Sequence, residues 1–308
     1  MSTIIHTSMP NTFLVTEAES GQKLLQILLR RLHLPKSLLH RWIRTGQVRC
    51  NALRCTPYQR VETGDSVRLP PFALAIAQEE QKEAQKDPVP LFDLPEEIGR
   101  YGDLIAYHKP AGLCTHPGSG HTDSLATRLA AHFAGKPFIP VPCHRLDRDT
   151  SGVLLVATSY ASLRAVSDAL TAQTLTKDYL CWVRGLWTHK EPLLLRDFLV
   201  KDTDGVRVSD RGRVAETLVF PILCGEKRSL LRLQIRTGRT HQIRVQLAHR
   251  GFPILGDRRY GSAGAGPLFL HAFRLTLPDG HVFQSLPAWP HPYTVSFAML
   301  STSHSQDK

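Results

Sequence analysis

The sequence predicts an α+β protein, in which a mixed, mostly antiparallel sheet forms the larger part and a small separate module precedes it. Three observations carry this prediction. Stretches of strand pattern arrive in groups with irregular helices between them, unlike the regular alternation of a doubly wound parallel sheet. The 308 residues suit two domains, at the usual ~100–200 residues each. Composition also changes abruptly from Gln78 to Glu97, where seven acidic residues and two lysines stand among Pro88, Pro90 and Pro95. That is linker composition.

The expected organisation is therefore a module over 13–75, an acidic linker over 76–98 and a second domain over 99–298. The ends, 1–12 and beyond about Ala298, are polar and expected to be disordered. In the module, Ser20 is the expected N-cap of a helix with apolar positions Leu24, Leu25, Leu28, Leu29 and Leu32. Pro35 opens a second helix, whose apolar side is Leu38, Leu39, Trp42 and Ile43 and which Gly46 stops. Its other faces carry Lys36, His40, Arg41 and Arg44. Short strands follow on either side of Asn51, and the stretch Glu62–Pro70 closes the module.

The second domain opens on a strand, Asp103 to His108, that ends in the turn Lys109-Pro110-Ala111-Gly112. Helices are expected near Ser124–Phe133 and over Tyr160–Ala172, the latter with Leu163, Val166 and Leu170 on one side. Between them, His144-Arg145-Leu146-Asp147-Arg148-Asp149-Thr150-Ser151-Gly152 runs straight into the apolar Val153-Leu154-Leu155-Val156-Ala157, short enough for a buried strand. A strand over Thr176–Gly185 alternates so that Tyr179, Cys181 and Val183 share a face. Shorter strands occupy 196–236, and a helix follows with Thr240 as expected N-cap and Gly251 as stop. On it His241, Arg244 and Ala248 share one face, and Ile243 and Leu247 another.

Charge and cysteine usage bound the function. A net charge of +11 and a pI near 9.6 argue for a polyanionic partner, nucleic acid before anionic membrane. Ten Lys/Arg face four Asp/Glu over residues 11–72. No apolar run reaches membrane-spanning length. Met1–Pro10 lacks the basic stretch and apolar core of a secretion signal, so a soluble cytoplasmic protein is expected. The six cysteines include no C-x-x-C pair and the fifteen histidines no H-E-x-x-H, which argues for reduced thiols and no metal site.

Three polar features stand out. The 144–152 stretch packs five ionisable residues into six positions. Tyr179 interrupts an apolar strand, and Arg239 and Arg244 flank a helix start. A carboxylate needs a nearby cation to stay ionised in a closed pocket, and a tyrosine face can stack on a flat base. These pieces suit nucleophilic or electrostatic work on a nucleoside. Taken singly they are a self-paired surface turn, a core tyrosine and exposed charges. Asp149 reads as a hydrogen-bonding partner of its own turn, and His241 as structural.

These stretches resemble the signatures of the RluA family of pseudouridine synthases. The resemblance rests on 144–152, Lys177-Asp178-Tyr179, Gly238-Arg239-Thr240-His241-Gln242-Ile243-Arg244 and Pro253-Ile254-Leu255-Gly256-Asp257, in the family's order. The module resembles the alpha-L, or S-four, RNA-binding domain through its basic helix, Arg44-Thr45-Gly46-Gln47-Val48-Arg49-Cys50-Asn51 and Gly64-Asp65-Ser66-Val67. Val208-Ser209, the context of Tyr179 and the module look most like the RluC and RluD type, which acts on large-subunit ribosomal RNA. The resemblance implies conversion of uridine in RNA to pseudouridine with no metal or organic cofactor, since the product is an isomer. Asp147 would be the essential carboxylate, attacking the sugar C1′ or working through a glycal. Tyr179 would stack on the uracil and could take the C5 proton. Arg244 would pair with Asp147, with Arg239 the second candidate for that role. Arg145 would help displace the nucleotide from its stack, with His144 and Thr150 supporting the loop. Lys36, Arg41, Arg44, Arg49 and Arg239 would contact RNA phosphates. The expected partner is RNA, bound by a monomer. Transfer RNA as target, a non-catalytic assembly factor and a base-releasing glycosidase remain alternatives. The last usually needs two carboxylates, and only Asp149 lies near Asp147 in sequence.

Overall fold

The computed structural model describes residues 11–84, 92–118, 122–202, 205–261 and 266–301. The segments expected to be disordered lie mostly outside them. The chain divides into two units: 1–93 with 128–141 and 157–164, and 94–127 with 142–156 and 165–308.

In the first unit the chain order is β1 (Thr12–Leu14), a 3₁₀ turn (Glu17–Glu19), α1 (Leu24–Leu32), α2 (Lys36–Arg44), β2 (Arg49–Cys50), β3 (Leu53–Arg54), β4 (Ser66–Arg68) and α3 (Ala73–Ala84). The four strands pair in the order β1-β4-β2-β3. Helix α2 buries Leu39, Trp42 and Ile43, spaced three and four apart, and keeps Lys36, Arg41 and Arg44 exposed. That is the separation of faces its period requires. Gly46, at φ +75°, turns the chain out of the helix. Ser20 does not cap α1. Lys23 occupies the N-cap position, and the Ser20 hydroxyl donates instead to Glu62 Oε2 at 2.7 Å. Helix α3 enters the stretch whose charge and prolines read as linker. Ala73-Leu74-Ala75-Ile76-Ala77 are good helix formers, and Ala73 and Ala77, four apart, are buried in the core of this unit.

The remaining elements are β5 (Glu97–Tyr101), β6 (Leu104–Lys109), α4 (Leu125–His132), β7 (Val141–Pro142), β8 (Ser151–Ala157), α5 (Tyr160–Thr171), β9 (Thr176–Arg184), β10 (Leu193–Lys201), β11 (Val206–Ser209), β12 (Arg213–Cys224), β13 (Arg228–Ile235), α6 (Gln242–His249), β14 (Leu270–Thr276), β15 (Val282–Gln284) and α7 (Phe297–Ser301). Among the described residues the strands form an 11-stranded sheet, ordered β11-β10-β12-β13-β9-β14-β8-β6-β5, with β15 beside β14 and β7 beside β8. The β8–β14 pair is parallel, while the successive pairs from β10 through β12, β13 and β9 to β14 are antiparallel. This is the mixed, mostly antiparallel α+β architecture that the grouped strands predict.

Strand β9 lies between β13 and β14, and every residue from Asp178 to Val183 is buried. The alternation in its sequence suggested a single apolar face, but a central strand is covered on both. Gly152 opens β8 at φ +118°, and a Cβ there would lie 2.2 Å from the Ala272 carbonyl oxygen. Only glycine permits this parallel strand to approach β14 so closely. His271, fully buried in β14, bonds Ser151 Oγ through Nδ1 (2.8 Å) and the Ser285 carbonyl through Nε2 (2.9 Å). The carbonyl can only accept, so Nε2 carries the proton and the Ser151 hydroxyl donates to Nδ1. The end of the 144–152 loop is thereby tied to β14.

Candidate active site

The loop that carries Asp147 is held from beneath by its own backbone groups and two buried side chains. Lys109, at the end of β6, is fully buried. Its Nζ donates to the carbonyls of Leu113 (2.7 Å), Pro110 (2.9 Å) and Arg148 (3.0 Å). Those acceptors use all three ammonium donors, which is how a buried lysine stays charged. Burial nevertheless pulls its pKa down to about 8. Thr115 Oγ1 donates to the Leu146 carbonyl and accepts from the Leu146 N–H. Gly112 N–H bonds the Arg148 carbonyl, and Thr150 N–H the Asp147 carbonyl. His144 accepts from the Leu155 N–H at 3.2 Å. Burial, then Lys177, push its ring down to about 3, so it is neutral. Asp149 pairs at the surface with Arg148 at 3.0 Å.

Helix α6 faces this loop. His241 is its N-cap, with φ +53°, and the helix begins at Gln242. Thr240 is therefore one position too early for the cap, because the left-handed residue sits between it and the first helical turn. A buried polar chain fixes the helix to the sheet. Gln242 accepts from Thr237 Oγ1 and donates to Thr217 Oγ1. The Thr217 hydroxyl donates to Gln246 Oε1, and Gln246 donates to Asp197. Asp197 in turn accepts from Arg250. Chains of satisfied buried hydrogen bonds of this kind hold a helix in one position.

Arg244 points from α6 to two carboxylates. Its short, bidentate pair is with Asp257 at 2.8 Å on both nitrogens, and its Nη1 stands 3.7 Å from Asp147 Oδ2. Asp257, fully buried, also accepts the backbone N–H groups of Arg259 and Tyr260. Its burial would raise its pKa, but the Arg244 bonds and these amides hold it below the usual carboxylate range. Asp257 thus aims the guanidinium whose free edge meets Asp147. Gly256, at φ +74°, makes this turn possible, because a Cβ there would strike the Pro267 carbonyl oxygen. His241 Nε2 lies 3.9 Å from the same Asp147 oxygen.

Two cavities meet at this point, of about 1020 Å³ and 510 Å³, and Arg145, Leu146, Asp147, His241 and Arg244 line both. The larger continues past His116, Arg148, Arg258 and Arg259. The smaller is lined by Tyr179, Lys177, Arg239 and Leu270. Arg145 is exposed on the shared rim. Tyr179 is buried, and burial together with Asp147 raises its phenol well above the ordinary value. Arg239 directs its Nε to the Val214 carbonyl rather than to Asp147. The structure therefore gathers Asp147, Tyr179, Arg244, Arg145 and Arg239 around one junction. The sequence pointed to no role for Asp257, Tyr260 or Lys109 and to a structural one for His241.

In the first unit, a cleft of about 500 Å³ is lined by His40, Arg41 and Arg44 of α2 and by Arg54 and Thr56. Lys36 is exposed at the start of the same helix. Arg49 is half-buried and donates to the Ala52 carbonyl, so it braces its own turn. Among the described residues, no group of three His, Cys, Asp or Glu is placed to hold a metal ion, and no helix is long and apolar enough to cross a membrane.

A carboxylate beside an aimed guanidinium, a buried tyrosine and a basic rim is the equipment of an enzyme that works on a nucleoside within RNA. Comparison with known proteins gives the class a name. The family described as RNA pseudouridylate synthase matches residues 103–249. Ribosomal large subunit pseudouridine synthase C of Haemophilus influenzae is 38% identical over 280 residues, which cover 85% of each chain. Its counterpart in Escherichia coli strain K12 is 38% identical over 283 residues, 85% of this chain and 86% of that one. The chain belongs to the RNA pseudouridine synthases, of RluA type. In fold it is similar to human RNA pseudouridylate synthase domain containing 4, with a TM-score of 0.54 at 24% identity over 62% of this chain and 88% of that one.

Proposed function

We propose that this pseudouridine synthase isomerises specific uridines of large-subunit ribosomal RNA, acting in the cytoplasm as a monomer, with Asp147 as its essential carboxylate. The observation that carries the residue assignment is the position of Asp147 at the junction of the two cavities, 3.7 Å from a guanidinium that Asp257 holds in place. Arg244 orients the carboxylate. The smaller cavity takes the uracil against Tyr179, and the larger receives the adjoining strand along its arginines. In the reaction the bond from C1′ to N1 breaks, the uracil turns, C5 bonds to C1′, and C5 loses a proton while N1 gains one, so that the product is an isomer.

Tyr179, buried against the smaller cavity with its phenol raised by burial and Asp147, is placed to stack on the uracil and keeps its proton at neutral pH. Arg145, on the shared rim, is placed to fill the space left by a displaced nucleotide. Arg239, which lines the smaller cavity, and the exposed Lys36, Arg41 and Arg44 of the first unit would meet phosphates, with Arg49 bracing the turn beside them. The name of the similar C-type enzymes supports ribosomal RNA as target. Pseudouridine mapping of ribosomal and transfer RNA, with and without this protein, tests the reading. Loss of defined large-subunit pseudouridines is expected. Loss confined to transfer RNA would contradict it.

A further inference from the structure

His241 stands in the left-handed region, where residues other than glycine are uncommon and strain often accompanies function. That backbone places its two ring nitrogens between two partners. Nδ1 lies 2.7 Å from the Tyr260 hydroxyl, and Nε2 lies 3.9 Å from Asp147 Oδ2. The Tyr260 oxygen is also the acceptor for the Val206 N–H, at 3.2 Å. A phenol has one proton to give. With its oxygen accepting from Val206, the phenol has His241 Nδ1 within reach as the acceptor of its proton, and that pairing makes Nδ1 the unprotonated nitrogen. The imidazole proton is then on Nε2, facing the carboxylate. The opposite tautomer would set a lone pair against Asp147 Oδ2.

We propose that Tyr260 and His241 form a tautomer lock, in which Val206 N–H, the Tyr260 hydroxyl and His241 act in series to present a neutral N–H donor to Asp147. His241 is a positioning residue in this arrangement. It and Arg244 approach the same oxygen, Oδ2, which leaves Oδ1 for the substrate. The charged and titratable groups that act on the ring are Asp147, Arg244, Arg259, Asp257 and Tyr260. Burial leads in lowering its pKa, and the two arginines add to this, so the ring is uncharged at neutral pH. A neutral donor orients the carboxylate without adding a second positive charge to the one Arg244 already supplies. The inference rests on Asp147 being the essential carboxylate.

Nitrogen-15 NMR of the full-length protein labelled at histidine tests it without relying on turnover, with H241Q identifying the resonances. The expected pattern is protonated Nε2 and bare Nδ1 in the wild type, and a mixture of tautomers in Y260F. Kinetics use ribosomal RNA that lacks the modification, tritiated at uridine C5. In Y260F and H241A, kcat should fall by about tenfold with KM little changed, as for loss of a polar group that orients a carboxylate from 3.9 Å. H241Q, which keeps an amide donor, should recover part of that loss. Protonated Nδ1 in the wild type, or full kcat in H241A, would overturn the lock. If instead D147N retains turnover, the reading of Asp147 fails, while the NMR pattern still reports whether the tautomer is fixed.

Discussion

The pair between Arg244 and Asp257 is the most consequential single contact in the site, because it aims a cation that would otherwise move toward Asp147. Asp257→Asn removes the charge from one half of a buried pair. It should cost about 3 kcal/mol of stability and lower kcat about a hundredfold through misplacement of Arg244. Denaturant unfolding and steady-state kinetics check the two effects separately. Unchanged kcat would show that Arg244 needs no guide. The sequence made Asp147, Tyr179 and Arg244 visible because each lies in a stretch that resembles a signature of the RluA family, whereas singly they read as part of a charged turn, a core tyrosine and an exposed charge. Asp257 was quoted only as the end of a motif. Nothing local tells that a carboxylate 13 residues after an arginine will meet it, since the loop between them has no period to follow. His241 read as structural for the same reason. Its left-handed backbone and its contact with Tyr260 arise from the fold, not from helical spacing.

At the scale of elements, the β8–β14 pair decides where the Asp147 loop sits. Gly152→Ala would drive a Cβ into the Ala272 backbone at a positive φ. The expected loss is about 3 kcal/mol or more, seen as a lower denaturant midpoint. A midpoint equal to wild type would show that β8 can move away from β14. The His271 bridge between the same strands gives a pH dependence. Burial holds its folded pKa at about 3, whereas an unfolded histidine titrates near ~6.5. As pH falls below that value, the unfolded chain takes up a proton that the folded ring refuses. This contribution to stability is therefore complete above about pH 6.5 and lost as pH falls toward 3. His271→Gln should flatten the dependence of the urea midpoint on pH in that window. An equally steep dependence in the variant would assign it to other groups. Periodicity placed α1, α2, α5 and β9 well, because each repeats its apolar residues over several turns or pleats. It placed Ser20 and Thr240 poorly as caps, because both precede residues whose backbone geometry depends on long-range contacts. Charge counting past residue 76 masked the helix former run that extends α3.

For the whole molecule, the net charge is +11, and Arg145, Arg148, Arg258 and Arg259 line the larger cavity while Lys36, Arg41 and Arg44 lie exposed on α2. If Lys36, Arg41 and Arg44 each neutralise a phosphate, changing all three to alanine removes three counterion-releasing contacts. The slope of log affinity against log salt should become shallower by about 2 to 3, with kcat at saturating RNA retained. An unchanged slope would leave α2 as a solvated helix face, the alternative that the sequence also allowed. The mixed, mostly antiparallel sheet was legible from grouped strands alone. Its order was not, since pairings such as β9 with β14 join segments far apart in the chain.

The account depends most on Asp147, and one substitution tests it. Asp147→Asn preserves shape and removes the charge. With ribosomal RNA tritiated at uridine C5 and enzyme in excess, the variant should bind the RNA as the wild type does and release no tritium. Tritium release at a rate near that of the wild type would contradict the assignment of this carboxylate.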